Sequence, residues 1–326
     1  MALKILVVGG AGYIGSHMVK RLGESGVEVV TLDNLSSGHR DAVTYGDFVQ
    51  GDISDRALLD SLFTSRKFDA VMHFASHIEV GESVRLPLKY YRNNVSNTLT
   101  LLEAMQAAKI DKFIFSSTAA IFGTPQYSPI DERHPRSPIN PYGRTKHMVE
   151  QILEDLDRAH GLRAVCLRYF NAAGADPSGE LGERHDPESH LIPLTLQAAS
   201  GRRASIAVFG SDYDTPDGTC IRDYVHIVDL CEAHWLALQS LLGGAGSQQY
   251  NLGNGDGFSV LEVIETVRRV TRREFKVIKE ARRAGDPPRL VADSTAARST
   301  LGWAPKYPSL ETIVEHAWNF EQKRPR

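Results

Sequence analysis

The stretch that decides the fold is Ile5-Leu6-Val7-Val8, an apolar run that leads directly into Gly9-Gly10-Ala11-Gly12-Tyr13-Ile14-Gly15. A glycine-rich turn between a strand and a helix lets the backbone approach a diphosphate, whose charge the helix N-terminus stabilises. Asp33 ends a second apolar run roughly 20 residues on, where a carboxylate accepts hydrogen bonds from a ribose diol and repels a 2′-phosphate. The sequence therefore predicts a dinucleotide site that prefers NAD to NADP.

Short apolar runs alternate with helical spacing through the first half of the chain. Apolar residues such as Ile14, Met18 and Leu22 recur at the 3.6-residue spacing of a helix packed on a sheet. This alternation predicts a doubly wound, Rossmann-type α/β fold with a parallel sheet, whose ligands lie outside the carboxyl ends of the strands. We expect strands at 3–8, 28–32, 48–50, 70–73, 112–116 and 164–168.

The second half has a different texture. Residues 171–189 are rich in Gly, Pro, Asp and Glu and predict a long loop, whereas 225–242 and 248–252 predict a return to the first sheet. Helical spacing at 260–270 and 312–320 indicates a smaller lobe. We expect a dinucleotide-binding domain over 1–170, with returns near 223–252, and a mainly substrate-binding α/β lobe over 171–326.

Composition excludes several classes of partner. The 326 residues include 37 Lys and Arg and 40 Asp and Glu, a formal net charge of −3. No nucleic-acid partner is predicted, because binding to the phosphate backbone of a nucleic acid needs a clustered excess of Lys and Arg. Cys166, Cys220 and Cys231 form no Cys-x-x-Cys pair and suit a reducing compartment. No apolar stretch approaches the roughly 18 residues of a membrane span. We therefore expect a cytoplasmic protein without a membrane partner.

A candidate catalytic group follows the fifth strand. Tyr142 and Lys146 lie four residues apart, which places both on one face of a helix. A free phenol has a pKa of about 10, and a neighbouring ammonium or a cationic cofactor ring would lower it. Ser116-Ser117-Thr118 supplies a hydroxyl at the carboxyl end of the preceding strand.

The glycine-rich turn, the strand-end hydroxyl and Tyr-x-x-x-Lys, in this order, resemble the extended branch of the short-chain dehydrogenase/reductase superfamily over nearly the whole chain. The resemblance implies that Tyr142 is the acid/base, that Lys146 lowers its pKa and binds ribose, and that the Thr118 hydroxyl contacts the substrate oxygen. Dehydratases and decarboxylases of this branch carry a carboxylate just after that hydroxyl, where this chain has Ala119 and Ala120. The chain is thus similar to the nucleotide-sugar epimerases of the branch.

The resemblance also implies the residues that contact each ligand. For NAD these are Gly9, Gly12, Tyr13, Ile14, Gly15, Asp33, Asn34, Asp52, Ile53, Phe74, Ala75, Asn94 and Lys146. For a UDP-sugar they are Thr118, Tyr142, Asn171, His190, Leu191, Ala207, Phe209, Arg222, Arg283 and Asp286. Two of these residues have an alternative role. Asp52 fits a helix N-cap equally well. His190, like nearby His185, fits a solvent-facing loop residue. No metal site is predicted, since two histidines without carboxylates in ligand geometry do not form one.

The resemblance implies NAD-dependent epimerisation at carbon 4 of a UDP-hexose, UDP-galactose to UDP-glucose, through a transient 4-keto sugar. UDP-N-acetylhexosamine and UDP-pentose stay open as substrates, because Leu290 stands where relatives vary between Tyr and small residues, and Ile78 replaces a lysine of some members. Three alternatives remain: a one-way nucleotide-sugar reductase, an enzyme that eliminates water to leave a keto-deoxy sugar, and a non-catalytic NAD sensor. The helices around Leu99 and Met148 resemble the pair through which family members form a homodimer.

Overall fold

The computed structural model describes residues 3–283 and 285–324 of the chain. Its strands are β1 Lys4–Val8, β2 Glu28–Asp33, β3 Asp47–Gln50, β4 Ala70–His73, β5 Lys112–Thr118, β6 Arg163–Tyr169, β7 Asn171–Ala173, β8 Ser205–Phe209, β9 Ile221–Arg222, β10 Tyr224–His226, β11 Gln248–Leu252, β12 Phe258–Ser259, β13 Lys276–Glu280 and β14 Arg289–Leu290.

The helices are α1 Tyr13–Glu24, α2 Arg56–Ser65, α3 Val80–Arg85, α4 Pro87–Tyr90, α5 Asn97–Ala107, α6 Pro141–His160, α7 Leu191–Ala199, α8 Ile227–Leu242, α9 Val260–Thr271, α10 Thr295–Leu301 and α11 Leu310–Lys323. A π-helical turn, Tyr91–Ser96, precedes α5, and 3₁₀ turns occupy Arg40–Ala42 and Ala119–Phe122. Within the described residues, no helix combines the length and apolar character that crossing a bilayer requires.

Seven parallel strands form the central sheet in the order β11-β6-β5-β4-β1-β2-β3. Side chains of β1 alternate between two cores: Ile5 and Val7 pack with α1 and α8, whereas Leu6 and Val8 pack with α2, α5 and α6. Burial on both faces explains why β1 reads as a continuous apolar run rather than an alternating one. The prediction of a doubly wound Rossmann-type sheet is confirmed.

The remaining strands belong to a smaller lobe. β8 pairs with β13, β9 with β12 and β14, and β7 with β10, and helices α7, α9 and α11 pack together around Val263, Val267 and Ile313. β11 lies at the edge of the central sheet, paired with β6. The division of the chain near residue 170 stays a prediction.

Three local expectations differ from the structure. The predicted loop over 171–189 contains β7, which was not expected because a three-residue strand carries no readable periodicity. The helical spacing of Met148, Ile152 and Leu156 predicts that they form the packed face of their helix, but Met148 is 39% exposed, whereas Val149 and Leu153 are buried. Asp52 is not a helix N-cap, since the cap of α2 is Asp55, whose carboxylate accepts from Leu58 N at 3.0 Å.

Candidate active site

The glycine-rich turn connects β1 to α1 at the carboxyl edge of the sheet. Gly9 has a φ of +79°, and a Cβ there would lie 2.5 Å from Ala75 N; a Cβ at Gly15 would lie 2.1 Å from Gly9 O. Packing within the chain therefore requires both glycines. A Cβ at Gly12 would meet only Gly9 O, at 3.4 Å. The small size of Gly12 instead suits a group that approaches the turn from outside the chain, such as a pyrophosphate.

Asp33 lies at the end of β2 beside this turn. One carboxylate oxygen accepts from Ala11 N at 2.9 Å and the other from Leu35 N at 2.8 Å. These bonds orient the carboxylate toward the groove and leave its remaining lone pairs for a ribose hydroxyl. Asn34 donates to Asp52 at 2.6 Å. Although burial opposes it, bonds from Ser54 and Asn34 hold the pKa of Asp52 below its usual value.

A groove at this edge brings together many of the residues predicted to contact the cofactor. Those that line it are Gly9, Gly12, Asp33, Asn34, Asp52, Ile53, Phe74 and Ala75. Tyr13 is directed elsewhere, because its hydroxyl donates to Gly174 O at 2.7 Å. Asn94 is buried and bonds both the N–H and the C=O of His77, at 2.9 and 3.0 Å. Its contact is therefore with the loop that walls the groove.

Helix α6 presents Tyr142 and Lys146 at its start. Asn140 caps the helix by accepting from Gly143 N at 2.8 Å, and Pro141 occupies the first turn, a combination that favours a helix start at this point. Tyr142 is buried, and the nearby Thr118 side chain acts to lower the pKa of its phenol. Thr118 also accepts from Ala120 N at 3.1 Å. The phenol and the hydroxyl thus meet where β5 ends.

Lys146 is buried and reaches under the groove. Its Nζ donates to Ser76 Oγ at 2.8 Å and to Ser116 O at 2.7 Å, and lies 4.8 Å from the centre of the Phe115 ring. Burial lowers the pKa of Lys146 to about 7. Ser76 lines the groove, so the ammonium is positioned to donate to a ribose hydroxyl there.

The expected direction of the Tyr142 pKa shift is wrong for the protein by itself. Burial raises the pKa of Tyr142 above 10.0, and the Thr118 side chain only partly offsets this. The ammonium of Lys146 bonds Ser76 and Ser116 rather than the phenol. Any lowering of the phenol pKa must therefore come from positive charge brought by a bound ligand.

A buried ion pair that sequence reasoning missed supports this site. Glu150 and Arg168 are fully buried and bond through two contacts, at 2.9 and 2.7 Å. Ser117 donates to the same carboxylate at 2.6 Å. This network joins α6 to β5 and β6, the elements that carry Tyr142 and Thr118. The available signal was that Glu150 lies four residues after Lys146, on the same helix face.

The predicted UDP-binding residues gather in the smaller lobe. Arg222 donates to Pro287 O at 2.9 Å and lies 3.5 Å from Asp286, and Arg283 donates to Asp286 at 3.0 Å. The Arg283 guanidinium lies 4.7 Å from the ring centre of Phe209. Two guanidinium groups and an aromatic face in one place can hold a diphosphate and stack a base.

Other lobe residues support this cluster. Ala207 lies two positions before Phe209 on β8, so both face away from the buried side formed by Ile206 and Val208. Asn171 donates to Asp223 O at 2.8 Å. Asp223, which was not predicted, accepts from the N–H groups of Asn254, Gly255 and Ala292 and so fixes the strand that carries Arg222.

His190 and Leu191 mark the start of α7. The Leu191 side chain packs into the lobe core, so a ligand would meet its backbone. The interpretation of His185 and His190 as isolated residues is wrong, although His190 does face solvent, with 46% of its side chain exposed. Both rings contact one carboxylate oxygen of Glu183, His185 at 3.1 Å. Contrary to the expectation from sequence, carboxylates therefore lie beside both histidines.

Comparison with known proteins gives a consistent result. The UDP-glucose 4-epimerase of Halalkalibacterium halodurans is 54% identical over 323 residues, which cover 99% of this chain and 97% of that protein. That of Rhizobium leguminosarum bv. trifolii is 53% identical over 98% of this chain. The crystal structure of UDP-glucose 4-epimerase from Brucella ovis in complex with NAD superposes with a TM-score of 0.96 at 51% identity, covering 98% of this chain and 99% of that one.

The family model that matches the chain spans residues 5–253, which include the glycine-rich turn, Thr118, Tyr142 and Lys146. The match covers well over half of the sequence, and the relatives above extend it to nearly all of it. The chain belongs to the NAD dependent epimerase/dehydratase family.

Proposed function

We propose that this protein catalyses the NAD-dependent epimerisation of a UDP-hexose at carbon 4, interconverting UDP-galactose and UDP-glucose. The observation that carries the proposal is that buried Tyr142 lies near Thr118 at the end of β5, on the helix whose Lys146 bonds Ser76 of the dinucleotide groove. Ala119 and Ala120, rather than a carboxylate, follow Thr118. Without a second acid/base, elimination of water is not supported, and oxidation with re-reduction of one carbinol is the chemistry that these groups can perform. Full-length relatives at about half identity carry the name of this activity.

The residues have distinct parts in the proposed reaction. Bound NAD supplies the acceptor for the hydride that leaves carbon 4. Tyr142 takes the proton of the sugar 4-hydroxyl, which the Thr118 hydroxyl holds in place. Lys146 donates to the ribose and adds positive charge beneath the groove. When hydride returns to the other face of the 4-keto sugar, Tyr142 gives the proton back, so the cycle is balanced and needs no external reductant.

Inversion of the configuration at carbon 4 requires the protein to bind the nucleotide tightly and the sugar weakly. We assign the diphosphate to Arg222 and Arg283, the uridine ribose to Asp286 and the uracil to the open face of β8 with Ala207 and Phe209. The arginines are fixed by Asp286 and by Pro287 O. The sugar would meet Asn171 and the α7 start at His190, where it can rotate about its bond to the diphosphate.

The direct test uses the purified protein and UDP-galactose without added coenzyme. We expect UDP-glucose to appear, because NAD that is regenerated in every turnover need not be supplied. A protein that contains NAD but converts none of the substrate would indicate a sensor instead. Stoichiometric consumption of added reduced coenzyme would indicate a one-way reductase.

We also infer that the protein is a homodimer. Support comes from apolar side chains that the single chain leaves exposed on one side, on α3 to α6: Val84 is 63% exposed, Leu88 79%, Leu99 38% and Met148 39%. Helices α3 and α4 both pack against α6, and exposed apolar patches are typical of interfaces. A cytoplasmic location stays a prediction from cysteine usage, and all three thiols are free and buried.

A further inference from the structure

Four side chains, of which only His190 has a place in the proposed substrate site, meet in the loop between β7 and α7. Glu183, His185, Glu188 and His190 each bring one ligand-type atom to a common point, and all four atoms lie within 4.8 Å of one another. His185 Nδ1 lies 3.1 Å from Glu183 and 3.8 Å from Glu188, and His190 Nδ1 contacts Glu183 and lies 3.9 Å from Glu188. A tetrahedral zinc site with bonds of about 2.0–2.2 Å places its ligand atoms about 3.4 Å apart. The cluster therefore already has nearly the dimensions of such a site.

The two carboxylates of this cluster have only the imidazoles of His185 and His190 as ion-pairing partners among the described residues. The side chains of Glu183 and Glu188 are only 5% and 4% exposed. Within 3–283 and 285–324, no Lys or Arg forms an ion pair with either of them. Arg184, the nearest in sequence, turns the other way and binds Asp41 through two contacts, at 2.9 and 2.8 Å. Two buried carboxylates are costly unless positive charge compensates them, and either protonated imidazoles or a metal ion held by neutral imidazoles can supply it.

One atom of the cluster is unsatisfied. Glu188 Oε1 accepts from the N–H groups of Ser189 and His190, at 2.8 and 3.0 Å, but Glu188 Oε2 is buried without a hydrogen-bond partner among the residues that the structure describes. Buried carboxylate oxygens are rarely left without a partner. This oxygen belongs to the carboxylate that faces both imidazoles, so it is a second, independent observation that favours a ligand at this point.

We propose that Glu183, His185, Glu188 and His190 bind a divalent transition-metal ion of the zinc class. Two imidazole nitrogens and two carboxylates are a donor set that suits zinc. His190 is 46% exposed, so the ion can enter from solvent. The ring of His185 packs edge-on against Tyr13 of the glycine-rich turn, with centroids 6.3 Å apart. The ion therefore fastens the loop of the smaller lobe beside the dinucleotide groove, as a structural clamp separate from the chemistry at Tyr142.

The test titrates zinc chloride into the tag-free protein after its metal has been removed with a chelator. We expect one zinc ion per chain by elemental analysis. We also expect Co²⁺ in place of zinc to show the visible absorption of a tetrahedral nitrogen and oxygen site. His185→Gln and Glu183→Gln should each weaken zinc binding by more than the roughly 10–100-fold that changes around a metal site cost. His160→Gln, exposed at the end of α6, is the matched control.

Glu188→Gln guards against a folding defect, because its amide oxygen can still accept from Ser189 and His190 while its charge is lost. Circular dichroism and NAD content identify folded variants. Zinc should protect the 177–190 loop of the unmodified chain and of the His160→Gln control from proteolysis. It should not protect this loop in the His185→Gln, Glu183→Gln or Glu188→Gln variants. A chain that retains no zinc, or equal zinc affinity in the folded His185→Gln or Glu188→Gln protein, would show that the cluster is only a set of ion pairs and would overturn the proposal.

Discussion

Tyr142 is the residue on which the proposed chemistry depends. Its phenol is buried, and burial raises the pKa of that phenol above 10.0. The phenol therefore stays protonated until positive charge enters the groove. Burial lowers the pKa of Lys146 to about 7, so its amine is partly protonated near neutral pH. We therefore expect the base to be activated once the cofactor, whose nicotinamide ring is cationic, is in place.

Removal of the phenolic oxygen isolates this role. We expect Tyr142→Phe to reduce kcat for UDP-galactose by about 10²–10⁴-fold, the usual contribution of a positioned acid/base. NAD content and UDP binding should be unchanged, because the ring is retained. Tyr127→Phe, which alters an exposed tyrosine bonded to Asp131, is the control. Near-normal turnover by the Tyr142 variant would show that another group moves the proton.

At the scale of elements, the site depends on how α6 is fastened to β5 and β6. Glycine spacing and the Tyr-x-x-x-Lys pair are local patterns, so the turn and the face of α6 could be predicted from sequence. The Glu150–Arg168 pair joins positions 18 residues apart on different elements, and the sequence does not reveal that they meet. The Glu183 and His190 contact escaped prediction for a related reason, since the shape of an irregular loop is set by packing.

Breaking the buried pair should weaken the fold more than any exposed ion pair does. Glu150→Gln leaves Arg168 as an uncompensated buried charge, which typically costs about 3–5 kcal/mol. Chemical denaturation of the NAD-loaded protein should show this loss. Asp155→Asn removes the largely exposed pair with Arg158 and should leave the free energy of unfolding nearly unchanged. Equal stability of the two variants would mean that Arg168 finds another partner.

At the scale of the whole molecule, acid stability depends on histidines buried in neutral form. Burial lowers the pKa of His17 and His234 to about 4 and of His73 to about 3. Between these values and about 6.5 the unfolded chain binds more protons than the folded one, so stability rises with pH through that range. Above about pH 6.5 these histidines no longer change the free energy of unfolding with pH.

The free energy of unfolding should therefore fall as the pH decreases from 6.5 toward 4, by on the order of 3 kcal/mol for each histidine at the lower limit. Urea denaturation at a series of pH values measures this slope. His17→Gln should make the slope shallower, because one titrating group is lost. A variant with the same slope as the unmodified chain would assign the acid dependence to other groups.

Assembly is the second property at this scale. If α5 and α6 pair with a second copy, placing carboxylates on the exposed apolar side should separate the protomers. We expect the double variant Leu99→Glu, Met148→Glu to sediment as a monomer where the unmodified protein sediments as a dimer. Tyr45→Glu, at an apolar residue of similar exposure on another surface, should leave the dimer intact. A double variant that remains dimeric would place the interface elsewhere.

The central claim is that hydride leaves carbon 4 and returns to the same carbon within one closed site. The most direct test follows UDP-galactose that carries deuterium at carbon 4 through a single turnover without added coenzyme. The proposed reaction predicts UDP-glucose with the deuterium still on carbon 4, since the hydride passes to the bound cofactor and back. Product that has exchanged this deuterium for solvent hydrogen would contradict it.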